Sequence, residues 1–309
     1  MVGSFIQRLL GGAIGGTPFA LIAFGDGVTR LLRGSGNPQA AEKNLTDGHD
    51  RAKRHGRVPI VAVAMTLKRI VRSGVGTIRM ASMSNRDKVF GIEEALALIK
   101  PGARIMIGGF GLAGYPEQLV EALAASGIKD LTIISNDLGS PGVGLGKLLT
   151  NGQIKALIGN YYNWNPEVAE AYNDGRIQVV LLPQGTFAEA IRAAGVGMPA
   201  FFSAASAGTE LAVGKETREF DGRTYVLERA ISADVALIKA HKADELGNLV
   251  YYKTARNFNP LMAAAASLTI VEVDEIVPVG ALDPESVVTP HIFVDIIVGS
   301  GRDGALGAG

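Results

Sequence analysis

From Lys88 onward the chain repeats one unit: a short apolar run, a polar or glycine-rich break, then a stretch with helical spacing. Apolar runs without two-residue alternation suit strands covered on both faces, as in parallel sheets. They fall at Arg104–Ile107, Leu131–Ser135, Ile154–Ile158, Ile177–Leu182, Ala233–Ile238 and Ser267–Val271. Between them the spacing predicts helices over Ile92–Ile99, Glu117–Ala125, Gly144–Asn151, Pro166–Asp174 and Phe187–Ala194. Lys100-Pro-Gly102 and Gly127 supply the stops. The expected fold class is α/β, an open, mostly parallel sheet covered by helices. One segment departs from the rhythm. Lys215–Glu228 alternates charged and apolar residues about Asp221-Gly222, which predicts a small antiparallel hairpin insertion.

The rhythm does not reach the first 82 residues, and charge divides at the same place. Residues 1–82 hold 12 Lys/Arg against 4 Asp/Glu, net +8; the remaining 18 and 26 give residues 83–309 net −8. Leu9–Gly25 is uncharged and apolar, but its 17 residues fall short of the roughly 20 a membrane span needs. It also contains Pro18 and five glycines, and no small-residue cleavage site follows it. The basic run Arg51–Arg57 suits an anionic lipid, a nucleic acid, or plain solvation. A contact segment, a targeting segment and an extension without folded consequence all remain open, and the sequence favours the last. Met83 then makes a natural start. The expected division is a basic, glycine-rich extension over 1–82, unfolded or not native, a folded domain over 83–300 and a flexible tail over 301–309. With an overall charge of zero, neither nucleic acid nor membrane is an expected partner.

Residue types narrow the chemistry. The chain has no cysteine, so disulfides, thiolate metal sites and a cysteine nucleophile are excluded. Its four histidines, at 49, 55, 241 and 291, are too scattered for a helical metal motif, so no metal is expected. Four segments could hold a ligand. Gly109-Phe-Gly111-Leu-Ala-Gly114 spells a dinucleotide fingerprint after a strand, with Asp137 downstream. Pro116, however, belongs in the first turn of a helix, so the glycines should lie in a loop before it, where backbone can approach an anion. Ser135-Asn136-Asp137 and Pro183-Gln184-Gly-Thr186 also follow predicted strands, at the edge where open α/β sheets bind ligands. Either could instead be a polar turn. Lys253-Thr-Ala-Arg256 places two cations among small polar residues, suited to an anion or to solvent.

The first three of these segments, with Ala193–Phe202, Arg218–Gly222 and Ala255–Leu261, match in order and spacing a known family over residues 88–298, which gives no firm role to Lys253 or Arg256. The chain resembles the alpha (A) subunit of family I coenzyme A transferases, of the acetate/acetoacetate and 3-oxoacid kinds. The resemblance implies an open α/β sheet, a cytoplasmic enzyme, and an active site shared with a beta (B) subunit. It implies ping-pong transfer of CoA between a short-chain or 3-oxo acyl-CoA and a carboxylic acid. A glutamate nucleophile in a Ser-Glu-Asn-Gly-type motif of the B subunit would carry the glutamyl-CoA thioester. That tetrapeptide is absent here. Asn136 and Gln184 match positions lining the acyl and oxyanion region, and Gly109, Gly111 and Asp137 are the expected substrate-binding residues. Aspartate at 137 shifts the expected substrate toward short-chain acids. The CoA thioester is a substrate, and no cofactor is implied. An NAD-dependent oxidoreductase, or a non-catalytic subunit keeping the fold, are the alternatives.

Overall fold

The structure is a computed structural model; it describes residues 88–300 and, before them, the backbone of two strands. Strands β1 (Phe19–Ala23) and β2 (Thr29–Arg33) pair antiparallel within a unit spanning Met1–Thr77. Apart from them, the expectations for residues 1–82 and 301–309 lie outside the described residues.

The second unit, Ile78–Gly309, is built on an eight-stranded sheet. Its strands are β3 (Arg104–Ile107), β4 (Leu131–Ile134), β5 (Ile154–Gly159), β6 (Gln178–Leu181), β10 (Ala233–Asp244), β11 (Leu249–Val250), β12 (Ala266–Val277) and β13 (Ile296–Gly299). The order is β13-β12-β10-β3-β4-β5-β6, every neighbouring pair parallel, with the short β11 antiparallel on β10. Helices α1 (Ile92–Leu96), α2 (Glu117–Ser126), α3 (Gly146–Thr150) and α4 (Pro166–Asn173) pack on one face. Helices α5 (Gln184–Val196) and α6 (Asn259–Ala265) cover the other.

Strand geometry accounts for this three-layer arrangement, because successive side chains point to opposite faces. Ile105, Ile107, Ile133, Val235 and Leu237 enter the core under α1–α4. Met106, Ile134, Ala236 and Ile238 enter the core with Phe187, Ile191 and Met262 of α5 and α6. Both faces being apolar, the runs read as continuous rather than alternating. The edge strand β6 is different: Val180 and Leu181 are half-exposed, so that run is not covered on both faces as expected.

The expected hairpin is present as β8 (Thr217–Phe220) and β9 (Arg223–Arg229), turning at Asp221 and Gly222 with both φ values positive. That backbone matches the twist of the flanking strands. It is part of a three-stranded sheet, however, because β7 (Ala200–Ser203) pairs with the other side of β9. Strands β10 and β12 also run to 12 residues each, well beyond their apolar runs. Their polar ends stay in register, Lys239 opposite Glu272 and Lys242 opposite Glu275.

Candidate active site

Strands β3, β4 and β6 all release their loops at the carboxyl edge of the sheet, and these loops carry the expected site residues. Helix α2 begins at Glu117 after Pro116, so the glycines 108–114 form a loop rather than a helix start. This removes the geometry a dinucleotide fingerprint needs, in which pyrophosphate sits on a helix opened by those glycines.

One hydrogen-bonded chain joins four of the five expected residues. The Gly111 N–H donates to Asp137 Oδ2 at 2.9 Å, and Asn136 Nδ2 donates to the same oxygen at 2.9 Å. Asp137 Oδ1 accepts the Gly139 N–H at 3.1 Å. Gln184 Nε2 then donates to Asn136 Oδ1 at 3.0 Å. Because Asp137 accepts this N–H, it fixes the Asn136 amide with its nitrogen toward Asp137 and its oxygen toward Gln184. Asn136 is buried and Gln184 exposed, so the chain runs from the protein interior to the edge. Gln184 opens α5 but makes no capping bond there; its side chain reaches across to Asn136. Gly109, the fifth residue, has φ +117°, and a Cβ there would come within 3.2 Å of the Tyr115 Cα.

The loop is anchored on its other side as well. Asn257 Nδ2 donates to the Ala113 carbonyl at 2.8 Å, and Asn259 Nδ2 to those of Gly114 and Ala255, each at 2.9 Å. Gly114 has φ +69°, and a Cβ there would lie 2.2 Å from the Ala255 carbonyl oxygen. Burial, with Glu121 and Glu117 nearby, pushes the Tyr115 phenol well above its ordinary range, so it stays neutral.

Beside the loop, the long ends of β10 and β12 carry a charged group that the sequence reading missed. Lys239 Nζ meets Glu272 at 3.1 Å and Asp274 at 2.7 Å, and His241 Nδ1 meets Asp274 Oδ2 at 3.1 Å. Burial alone would raise the Asp274 carboxyl, but the hydrogen bonds from Lys239 and His241 hold it below the ordinary carboxylate range. These residues border a cleft of about 430 Å³. A signal did exist in the sequence. Lys239/Glu272 and Lys242/Glu275 place opposite charges at equal offsets beyond two apolar runs, the pattern of facing parallel strands.

A parallel sheet that gathers braced amides at its carboxyl edge belongs to the α/β proteins that hold a ligand there. Likeness to known proteins sharpens this. A family model described as Coenzyme A transferase matches residues 91–300. In Bacillus subtilis (strain 168), the probable A subunit of a succinyl-CoA:3-ketoacid coenzyme A transferase is 50% identical over 206 residues, 67% of this chain and 87% of that protein. In Escherichia coli (strain K12), the alpha subunit of acetate CoA-transferase is 44% identical over 213 residues, 69% and 97% respectively. The crystal structure of an acyl-CoA transferase from Escherichia coli O157:H7, in thioester complex with CoA, superposes with a TM-score of 0.63 at 23% identity. That match covers 71% of this chain and 48% of the other protein, so the chain spans about half its length and the likeness is one of fold.

The chain belongs to the coenzyme A transferase family, and within it is similar to the A subunits. The oxidoreductase alternative has no support from these matches. No helix among the described residues is long and apolar enough to cross a membrane.

Proposed function

We propose that this chain is the A half of a cytoplasmic CoA-transferase, completed by a B subunit that brings the nucleophilic glutamate. The reaction moves CoA between a short-chain or 3-oxo acyl-CoA and a carboxylic acid. The observation that carries this reading is the Gly111–Asp137–Asn136–Gln184 chain at the carboxyl edge, in a member of this family that lacks the Ser-Glu-Asn-Gly motif.

A carboxylate oxygen attacking a thioester carbon puts negative charge on the carbonyl oxygen. The tetrahedral adduct then expels CoA thiolate and leaves an acyl–glutamyl anhydride. Attack by the thiolate on the glutamyl carbon releases the first acid and forms the glutamyl-CoA thioester, and the acceptor acid reverses these steps. No cofactor enters this sequence. Asn136 Nδ2 and Gln184 Nε2 each carry two N–H groups, and one of each is spent within the chain. The second of each is the donor assigned to the oxyanion. Held by Asp137 before substrate arrives, such donors need no reorganisation as charge develops. Asp137 and Gly111 act by bracing the amides, and Gly109 by letting the loop lie against Tyr115.

The test is co-expression with a candidate B subunit containing a Ser-Glu-Asn-Gly-type motif, followed by assay of CoA transfer across short-chain and 3-oxo acids. Transfer that requires both chains is the expected result. A correctly assembled pair that transfers CoA between no such acids would overturn the reading.

A further inference from the structure

The amide site leaves unused the two cations of the Lys253-Thr-Ala-Arg256 segment. Both are exposed, and neither forms an ion pair with a described residue; the Lys253 ammonium lies 5.0 Å over the Tyr252 ring. Lys253 has φ +49°, a left-handed backbone that a lysine keeps only where its surroundings impose it.

What imposes it is visible. Residues Lys253–Arg256 form a single 3-10 turn, and the two asparagines that follow bind that turn to the glycine loop. Asn257 Nδ2 bridges the carbonyls of Thr254 and Ala113, and Asn259 Nδ2 bridges those of Ala255 and Gly114. Asn259 Oδ1 also accepts the Lys239 N–H at 3.0 Å. Tyr251, Tyr252 and Ala255 line the cleft together with Leu112 and Tyr115. Inside it, the carboxylates of Glu272 and Asp274 are already held by Lys239 and His241, while Glu117 sits in the first turn of α2. Lys253 and Arg256 stand on the exposed turn directly beside the lining residues Tyr252 and Ala255, and neither is paired with these carboxylates.

We infer that Lys253 and Arg256 form an anion-binding subsite for a phosphate or carboxylate group carried by the substrate, remote from the reacting carbon. The inference rests on the CoA-transfer reading for the identity of that substrate. Two sources bring the same chemistry. An acyl-CoA carries phosphates at the far end of a long arm, and a dicarboxylic acid carries a second carboxylate. A guanidinium fork suits both, and a lysine adds a point charge. Holding a remote anion lets binding energy there position the reacting end. The turn shares its asparagine clasps with the loop whose Gly111 N–H orients Asp137, so an anion on the turn also steadies the amide site.

The experiment compares wild-type complex with Arg256→Met and Lys253→Met complexes, each checked for an unchanged melting temperature. Acyl-CoA is set against the matching acyl-pantetheine, which lacks the phosphates, and succinate against acetate. Loss of a charge-assisted contact should raise one KM about ten- to hundred-fold. If the penalty appears with acyl-CoA and disappears with acyl-pantetheine, the anion is a CoA phosphate. If it appears with succinate and not with acetate, the anion is the second carboxylate. No penalty with any substrate, or one penalty shared by all four, would overturn the subsite. Should the wild-type complex transfer no CoA, the transfer reading falls by itself. Calorimetric titration of the full-length chain with adenosine 3′,5′-bisphosphate and with succinate then still tests the subsite. Heat of binding lost in Arg256→Met supports it, and no binding of either probe overturns it.

Discussion

The Glu272 carboxylate accepts the backbone N–H of Gln118 at 2.9 Å, so a residue of β12 caps helix α2 across 154 positions of sequence. The same oxygen takes the Leu119 N–H at 3.1 Å, and Lys239 neutralises the group from the neighbouring strand at 3.1 Å. Proline stands at the N-cap of α2 and offers no side-chain cap, so Glu272 fills that role from a distance. Placing an anion at the positive end of a helix adds to the effect.

Glu272→Ala should therefore be among the costlier substitutions in the chain. It strips two helix N–H groups of their acceptor and leaves Lys239 with Asp274 alone. Breaking a buried pair by removing one partner typically costs about 3–5 kcal/mol. Glu272→Gln should cost less, because its amide oxygen can still accept both N–H groups. Urea unfolding of the two variants measures the difference. Equal stabilities would mean that charge, and not the cap, sets the contribution of Glu272.

Gln184→Ala should spare the fold and slow the reaction. The side chain is exposed and caps nothing, so stability should stay within about 0.5 kcal/mol of wild type. Losing one oxyanion-type donor typically costs about 10²–10³ in rate. Because Gln184 and Asn136 are hydrogen-bonded, the double variant Asn136→Ala/Gln184→Ala should cost less than the product of the two single losses. Wild-type turnover in the single variant would leave Gln184 with no role beyond opening α5.

The order of apolar runs sufficed for the parallel sheet because both faces of its inner strands are covered, leaving no alternation to confuse the reading. Asn136, Asp137 and Gln184 were legible for a related reason: each directly follows such a run, at the edge where parallel strands deliver side chains. Charge is what hid the rest. Strands β10 and β12 continue through Lys239, His241, Glu272 and Asp274 because these residues pair with one another across strands, a relationship no single run contains. Strand β13 and helix α6 are not among the elements placed from the sequence, although others as short are. The partnership of Gly111 with Asp137 could not be read at all, since it depends on how a loop folds back over β4.

A chain beginning at Met83 should fold and assemble as the full chain does. The charge break falls at residue 82, the family match starts at 91, and a compact unit begins at Ile78. Lys88, retained by that truncation, closes the domain by donating to the carbonyls of His291 and Val294. Gel filtration with the B partner and thermal melting test this. Loss of soluble, assembly-competent protein would assign residues 1–82 a folding role.

Stability should decline on mild acidification through His291. Burial, with Lys88 alongside, holds its imidazole below the ordinary histidine range, and Asp244 opposes this. The folded state thus prefers the neutral ring, while an unfolded histidine titrates near about 6.5. Its contribution is complete above that value, falls as pH drops toward the folded-state pKa, and is flat below it. Urea unfolding at about pH 7.5 and pH 5.5 should show a smaller decline in His291→Gln than in wild type. Identical declines would place the acid sensitivity elsewhere.

The final prediction concerns where the covalent intermediate forms. Two glutamates near the carboxyl edge are committed to other work: Glu121 pairs with Lys147 at 2.5 Å, and Glu272 is buried under the start of α2. Glu117 lies in the first helical turn, and none of the three stands in a Ser-Glu-Asn-Gly motif. On the proposed function, the nucleophile that attacks the carbon whose oxygen the amides would hold comes from the partner chain. Given acyl-CoA, the chain alone should form no glutamyl-CoA thioester and transfer no CoA. With the B partner added, borohydride reduction of the trapped thioester should mark a glutamate of the partner by mass spectrometry. A reduced glutamate in this chain, or turnover without the partner, would show that the whole reaction is housed here.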